Sequence, residues 1–172
     1  MRVIAALGAG LVAFACGIRA QSAPSQSASA LLDKLVGHWR MVGHVGAQPV
    51  AYDMVARRAL HDRYVELHMT DVARPARYEA LVYIGEDTVP NRVVVHWIDS
   101  FGAAFSIPYG QGAVMGDTVQ FEIPYPGVPF RDAFVYRRAD NTWHFRLESN
   151  RGGDAWKLFA EYEVQAADSS AR

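Results

Sequence analysis

From Gly37 onward the chain is built of short segments in which apolar and polar residues alternate, cut by turn-forming residues at intervals of roughly 8–12 residues. That spacing constrains the fold more than any other feature. Runs this short are strands rather than helices, and connections this short join neighbours antiparallel instead of crossing a sheet. One stretch departs from the pattern. Leu31, Leu32 and Leu35 recur at helical spacing, Ser27 or Ser29 can cap them, and Gly37 stops the run. Trp39 then opens the first strand.

The strand-like segments are residues 38–45, 51–59, 64–70, 78–84, 92–98, 111–115, 118–123, 130–136, 143–149 and 155–164. Residues 101–107 read as a further strand or a bulged extension. The stretch 124–129 (PYPGVP) is the longest irregular one, and its prolines bar a central strand. About ten strands in a nearest-neighbour meander leave two raw edges unless the sheet closes. The expectation is therefore an all-β fold: a closed antiparallel up-and-down barrel of about ten strands with a short N-terminal helix. A barrel of this size has room for side chains or one small ligand.

The first 20 residues read as a secretory leader. Arg2 supplies the positive start, residues 3–16 the apolar run, and Ala20 the small residue before a cut at Gln21. Cys16, the only cysteine, ends a poor lipoprotein box in which Phe14 fits badly, so simple export is preferred over a lipid anchor. The expected organisation is a leader over 1–20, a polar linker over 21–29, the barrel over 30–165 and a frayed tail over 166–172. The net charge is −1, and loss of Arg2 and Arg19 makes it more negative, so nothing here forms a footprint for nucleic acid. The mature chain offers no membrane-spanning segment and no thiol.

Strand parity separates an inner from an outer set. Trp39, Met41, Val65, Leu67, Met69, Tyr78, Val82, Trp97, Phe121, Phe134, Tyr136, Trp143, Phe145, Trp156, Leu158 and Tyr162 fall inward. Two carboxylates share that parity, Asp99 and Asp132. An inward carboxylate is costly without a partner. The bland alternatives are that Asp99 caps the following turn and that Asp132, near a strand start, reaches solvent or a loop amide. As ligand contacts the sequence offers Met69, Tyr78, Trp97, Asp99, Asp132, Phe134 and Tyr136, with His96 beside them because its strand is apolar on both parities. His68 and His144 fall on the outer parity. No paired-cysteine, HxH or HExxH spacing marks a metal site, and no nucleophile elbow or glycine-rich phosphate loop marks a catalytic one.

Helix, Gly37-His38-Trp39 and a serial meander together resemble the calycin superfamily, which includes lipocalins, fatty-acid-binding proteins and nitrobindins. Residues 35–39, 64–71, 78–85, His96-Trp97-Ile98-Asp99 and Tyr109-Gly110 resemble more closely a bacterial lipocalin-like family of unknown function, over residues 31–164. The resemblance implies a barrel with an internal cavity and supplies no activity. Nitrobindin-like proteins would imply haem, held by a late-strand histidine after a Gly-x-Trp-x-Gly-x-Gly strand. Here Met41 replaces the second glycine and His144 is the only late-strand histidine, which disfavours haem. The functional expectation is an exported protein holding a small, mostly apolar molecule, without metal or cofactor. The alternatives are an isomerase or proton-transfer enzyme using an inner carboxylate or His96, and a structural barrel with a filled interior.

Overall fold

The computed structural model describes residues 27–153 and 155–167. The leader, the linker up to residue 26 and the tail from residue 168 lie outside the described residues. A five-residue helix, α1 (Ala28–Leu32), is capped by Ser27, whose hydroxyl accepts the Ala30 N–H at 3.3 Å. A 3-10 turn over Asp33–Leu35 follows. Ten strands come next: β1 (Gly37–Val45), β2 (Gln48–Ala59), β3 (Tyr64–Asp71), β4 (Glu79–Glu86), β5 (Arg92–Asp99), β6 (Gly110–Met115), β7 (Thr118–Ile123), β8 (Phe130–Arg137), β9 (Thr142–Ser149) and β10 (Lys157–Ala166). Each pairs antiparallel with the next, and β1 pairs with β10 from Trp39↔Ala166 to Val45↔Ala160, closing the barrel. Among the described residues, no helix is long and apolar enough to cross a membrane.

Alternation makes the lumen. In β8 the sequence FRDAFVYR buries Asp132, Phe134 and Tyr136 and turns Arg131, Ala133 and Val135 outward. The outer face is laced by cross-strand ion pairs such as Arg40–Asp53, Arg57–Glu66, Arg131–Glu148 and Arg137–Glu163. Two glycines permit close wall contacts. A Cβ on Gly43 in β1 would sit 1.9 Å from the Glu161 carbonyl oxygen, and one on Gly112 in β6 would sit 1.9 Å from that of Gln120. These strands stand on opposite sides of the barrel. Trp97 of β5 and Phe145 of β9 stack across the lumen at 6.3 Å between ring centroids.

Two inward assignments and one strand are corrected. Leu158 is exposed, because a bulge between Leu158 and Ala160 inverts the start of β10 and turns Ala160 inward instead. Trp156 precedes that strand and lies outside, with the Arg131 guanidinium 4.6 Å over its ring. Residues 101–107 form no strand but a loop with a 3-10 turn at Ala103–Phe105.

The helix closes one end. Leu31, Leu32 and Leu35 are fully buried there. The Trp39 indole donates to the Leu35 carbonyl at 2.7 Å and the Trp143 indole to that of Lys34 at 3.3 Å, so carbonyls that a helix end leaves unpaired are satisfied from the barrel. The other end is ringed by the loops between β3 and β4, β5 and β6, β7 and β8, and β9 and β10.

Candidate functional site

The loop end gathers the inward polar groups. Asp99 ends β5, and its Oδ1 accepts the Phe101 N–H at 3.0 Å, which is the turn-capping role. Its Oδ2 simultaneously accepts the Tyr78 hydroxyl at 3.4 Å, and that hydroxyl accepts the Trp97 indole N–H at 3.2 Å. Tyr78, Trp97 and Asp99 thus form one hydrogen-bonded chain along the upper wall. Burial, then the Asp99 charge, raises the Tyr78 phenol well above its ordinary range. Tyr52 of β2 makes an edge contact with Tyr78 at 5.6 Å and another with Tyr162 of β10 at 5.7 Å.

Asp132 is the outlier. It is 2% exposed, and its Oδ1 accepts no hydrogen bond. Its strand partners are Phe121 on β7 and Leu147 on β9, both apolar. Burial alone pushes its carboxyl well above the usual carboxylate range. Neither bland alternative describes its Oδ1, which meets neither solvent nor a loop amide. Tyr125, from the loop between β7 and β8, lies near both acids; burial and then the charges of Asp99 and Asp132 raise its phenol to about 12. The backbone of Tyr125 belongs to a short turn, with Tyr125 N–H to Ile123 O at 2.9 Å and Val128 N–H to Tyr125 O at 3.2 Å, and its side chain packs against the core. Its ring meets the edge of Phe130 at 6.0 Å.

The wall is incomplete beside this cluster. β5 pairs with β6 only from Arg92↔Ala113 to Val95↔Gly110, so 96–99 have no ladder partner on that side. The loop between β5 and β6 runs alongside with Phe101, Phe105 and Ile107 exposed, and Phe101 touches the Tyr78 ring at 5.4 Å.

Phe134 lies deeper, stacked on Phe145 at 3.8 Å and 5°, and Phe145 stacks in turn against Tyr162 at 5.8 Å. Met69 is buried between Met54 and Ala80 in the wall. Tyr136 stands apart: its hydroxyl donates to Asn141 Oδ1 at 2.6 Å and its ring leans on Trp143 at the helix end. His96 is not in the lumen. It is exposed on the outer face between the rings of Tyr64 and Tyr109, because the outer apolar row of β5 faces solvent, with Ile98 48% exposed. His144 is also outward, 3.6 Å from Glu161, and His68 pairs with Glu79 at 2.6 Å. No histidine among the described residues faces the lumen. Among the described residues, no cluster of three or more His, Cys, Asp or Glu could hold a metal ion.

Sequence reasoning passed over Tyr52 and Tyr125. Tyr52 shares the parity of Met54 and Ala56, a signal that was available. Tyr125 belongs to a proline loop with no periodicity to read.

No family model matches this chain, and no curated protein is similar to it. Among solved structures, Rv2717c from M. tuberculosis is similar in fold, with a TM-score of 0.55 and 14% sequence identity, covering 80% of this chain and 95% of that one. What that likeness supports is the fold alone, a closed antiparallel β-barrel.

Proposed function

We propose that this is an exported, lipocalin-like binding protein that holds a small, mostly apolar molecule in the loop-end half of its barrel. The observation that carries the reading is Asp132. A buried carboxyl whose Oδ1 accepts no hydrogen bond, beside Phe121, Leu147 and Tyr162, costs stability and does nothing for the packing. A ligand that hydrogen-bonds it accounts for its presence. Trp97, Tyr78 and Phe134 would supply the apolar wall, and the loop bearing Tyr125 the cover. Export rests on Arg2, the apolar run behind it and Ala20.

A second reading, a structural barrel, is favoured by the stack of Phe134, Phe145, Tyr162 and Trp97 that bridges the middle of the lumen. Native mass spectrometry decides between them. The protein is expressed with its own leader, purified from the exported fraction and compared with its denatured mass. A bound mass lost on denaturation is the expected result. A bare native mass, together with no change in the fluorescence of N-phenylnaphthylamine on adding the protein, would overturn the binding reading in favour of the structural one.

A further inference from the structure

We propose that the loop-end lumen selects an organic cation: a protonated amine on an apolar body, with its ammonium at Asp132 and its body against the tyrosine and tryptophan rings. The proposal rests on the binding reading above and names its ligand class. Three observations carry it.

The first is the sign of the lining. Among the described residues, every lysine, arginine and histidine lies outside the lumen, on the outer face, on a loop or at the helix end. The inward charged groups at the loop end are Asp99, Asp132 and, at the rim, Asp71, which Arg77 pairs at 3.2 Å. Arg77 at this rim is already paired with Asp71, so an anionic headgroup would meet Asp99 and Asp132 unfavourably, whereas an ammonium meets complementary charge.

The second is the vacancy in hydrogen bonding. Asp132 Oδ1 is an acceptor with no donor, buried among apolar neighbours. A buried charge is tolerable when it is paired, so an entering ammonium and the carboxylate it faces each offset the cost of the other. Burial favours the protonated carboxyl, so an ammonium arriving at it would release that proton to solvent as the ion pair forms. A neutral alcohol could bond to Asp132 but would gain no such pair.

The third is the rings. Tyr78 and Trp97 are hydrogen-bonded to Asp99 or to each other, Tyr125 lies near both acids, and Tyr52 and Tyr162 make edge contacts beside them. Their π faces attract cations, most strongly where water is excluded. Tyr125 is the side chain that must move for entry, since it lies near both acids and hangs on a short loop rather than a ladder.

The test is calorimetric titration of the mature protein, at neutral pH, with three molecules of one skeleton: phenylbutylamine, phenylbutanol and phenylbutanoic acid. The amine should bind about tenfold more tightly than the alcohol or better, and the acid more weakly than either. Asp132→Asn should remove most of the amine's advantage while leaving the alcohol's affinity within about twofold. If that variant does not fold, Asp99→Asn, at the partly exposed acid, should narrow the gap between amine and alcohol in the same direction. Alcohol or acid binding as well as the amine would overturn the cation assignment and leave the binding reading standing. Failure of all three, with a bare native mass, would overturn both.

Discussion

At the helix end of the barrel the buried indoles of Trp39 and Trp143 each donate to a helix carbonyl; at the loop end Asp132 Oδ1 accepts nothing. The contrast extends to the acids. Asp71, at the rim, accepts the Ala73 N–H at 2.9 Å, the Arg77 N–H at 3.3 Å and the Arg77 Nε–H at 3.2 Å. Those bonds, the one to Ala73 first, hold its carboxyl below the ordinary value. Asp132, a short way inside, is raised. One end is built to be stable. The other carries a polar group that stability alone would remove, and a site of recognition is the usual reason for such an exception.

The largest effect expected is at the helix end. Leu35→Ala deletes a fully buried side chain where α1 seals the barrel, and should cost about 2–5 kcal/mol in urea unfolding. Binding of phenylbutylamine at the loop end should be unchanged in the fraction that remains folded. If affinity fell in proportion to stability, the two ends would not be independent, and the contrast drawn here would fail.

Asp132→Leu should move stability the other way. The two side chains branch at the same carbon, so Leu fills the space without an unpaired acceptor. The gain expected at neutral pH is about 1–3 kcal/mol. Its pH dependence identifies the cause. The folded-state value of Asp132 is raised, so the native chain holds a proton that the unfolded chain has released. The stability this proton confers is complete below the ordinary value of 3.8 and is lost as the pH climbs through the raised one. The advantage of the variant should therefore grow from acid towards neutral pH. Asp71 has the opposite sign: its lowered value gives stability that is present above 3.8 and lost as the pH falls. A gain for Asp132→Leu that did not change with pH would show that the carboxyl titrates alike in both states.

The barrel was legible in the residues because period-two alternation and closely spaced turns leave few other solutions. Trp39, Met41, Val65, Leu67, Phe134 and Phe145 were all assigned inward and all are buried. The failures have local causes. A bulge shifts parity by one, and nothing in AWKLFAEYE announces it, so Leu158 was misplaced. Residues 101–107 have strand-like composition, yet the β5–β6 ladder stops at Val95↔Gly110, which periodicity cannot report. In the site, Asp99 and Asp132 were singled out by parity alone, but their difference was not legible: Asp99 holds two hydrogen bonds and Asp132 Oδ1 none, and pairing is decided by neighbours distant in the chain. His96 was offered for the lumen because both faces of its strand are apolar; the apolar outer face simply meets solvent.

The smallest effect belongs to the outer wall and sharpens the comparison from outside. Arg40 and Asp53 pair at 2.9 Å across β1 and β2, with side chains 45% and 50% exposed. Water screens such a pair, and ordering two side chains offsets most of its attraction, so Asp53→Asn should change unfolding free energy by no more than about 1 kcal/mol. Raising the salt concentration should shrink even that difference. The same carboxyl-to-amide change made at Asp132 removes a titrating group from a water-free site, and is expected to alter amine binding and the pH dependence of stability together. If Asp53→Asn shifted both as strongly, the behaviour of Asp132 would reflect the net charge of the barrel rather than its burial. A silent Asp53→Asn beside an active Asp132→Asn would locate the effect at the buried acid whose Oδ1 accepts no hydrogen bond.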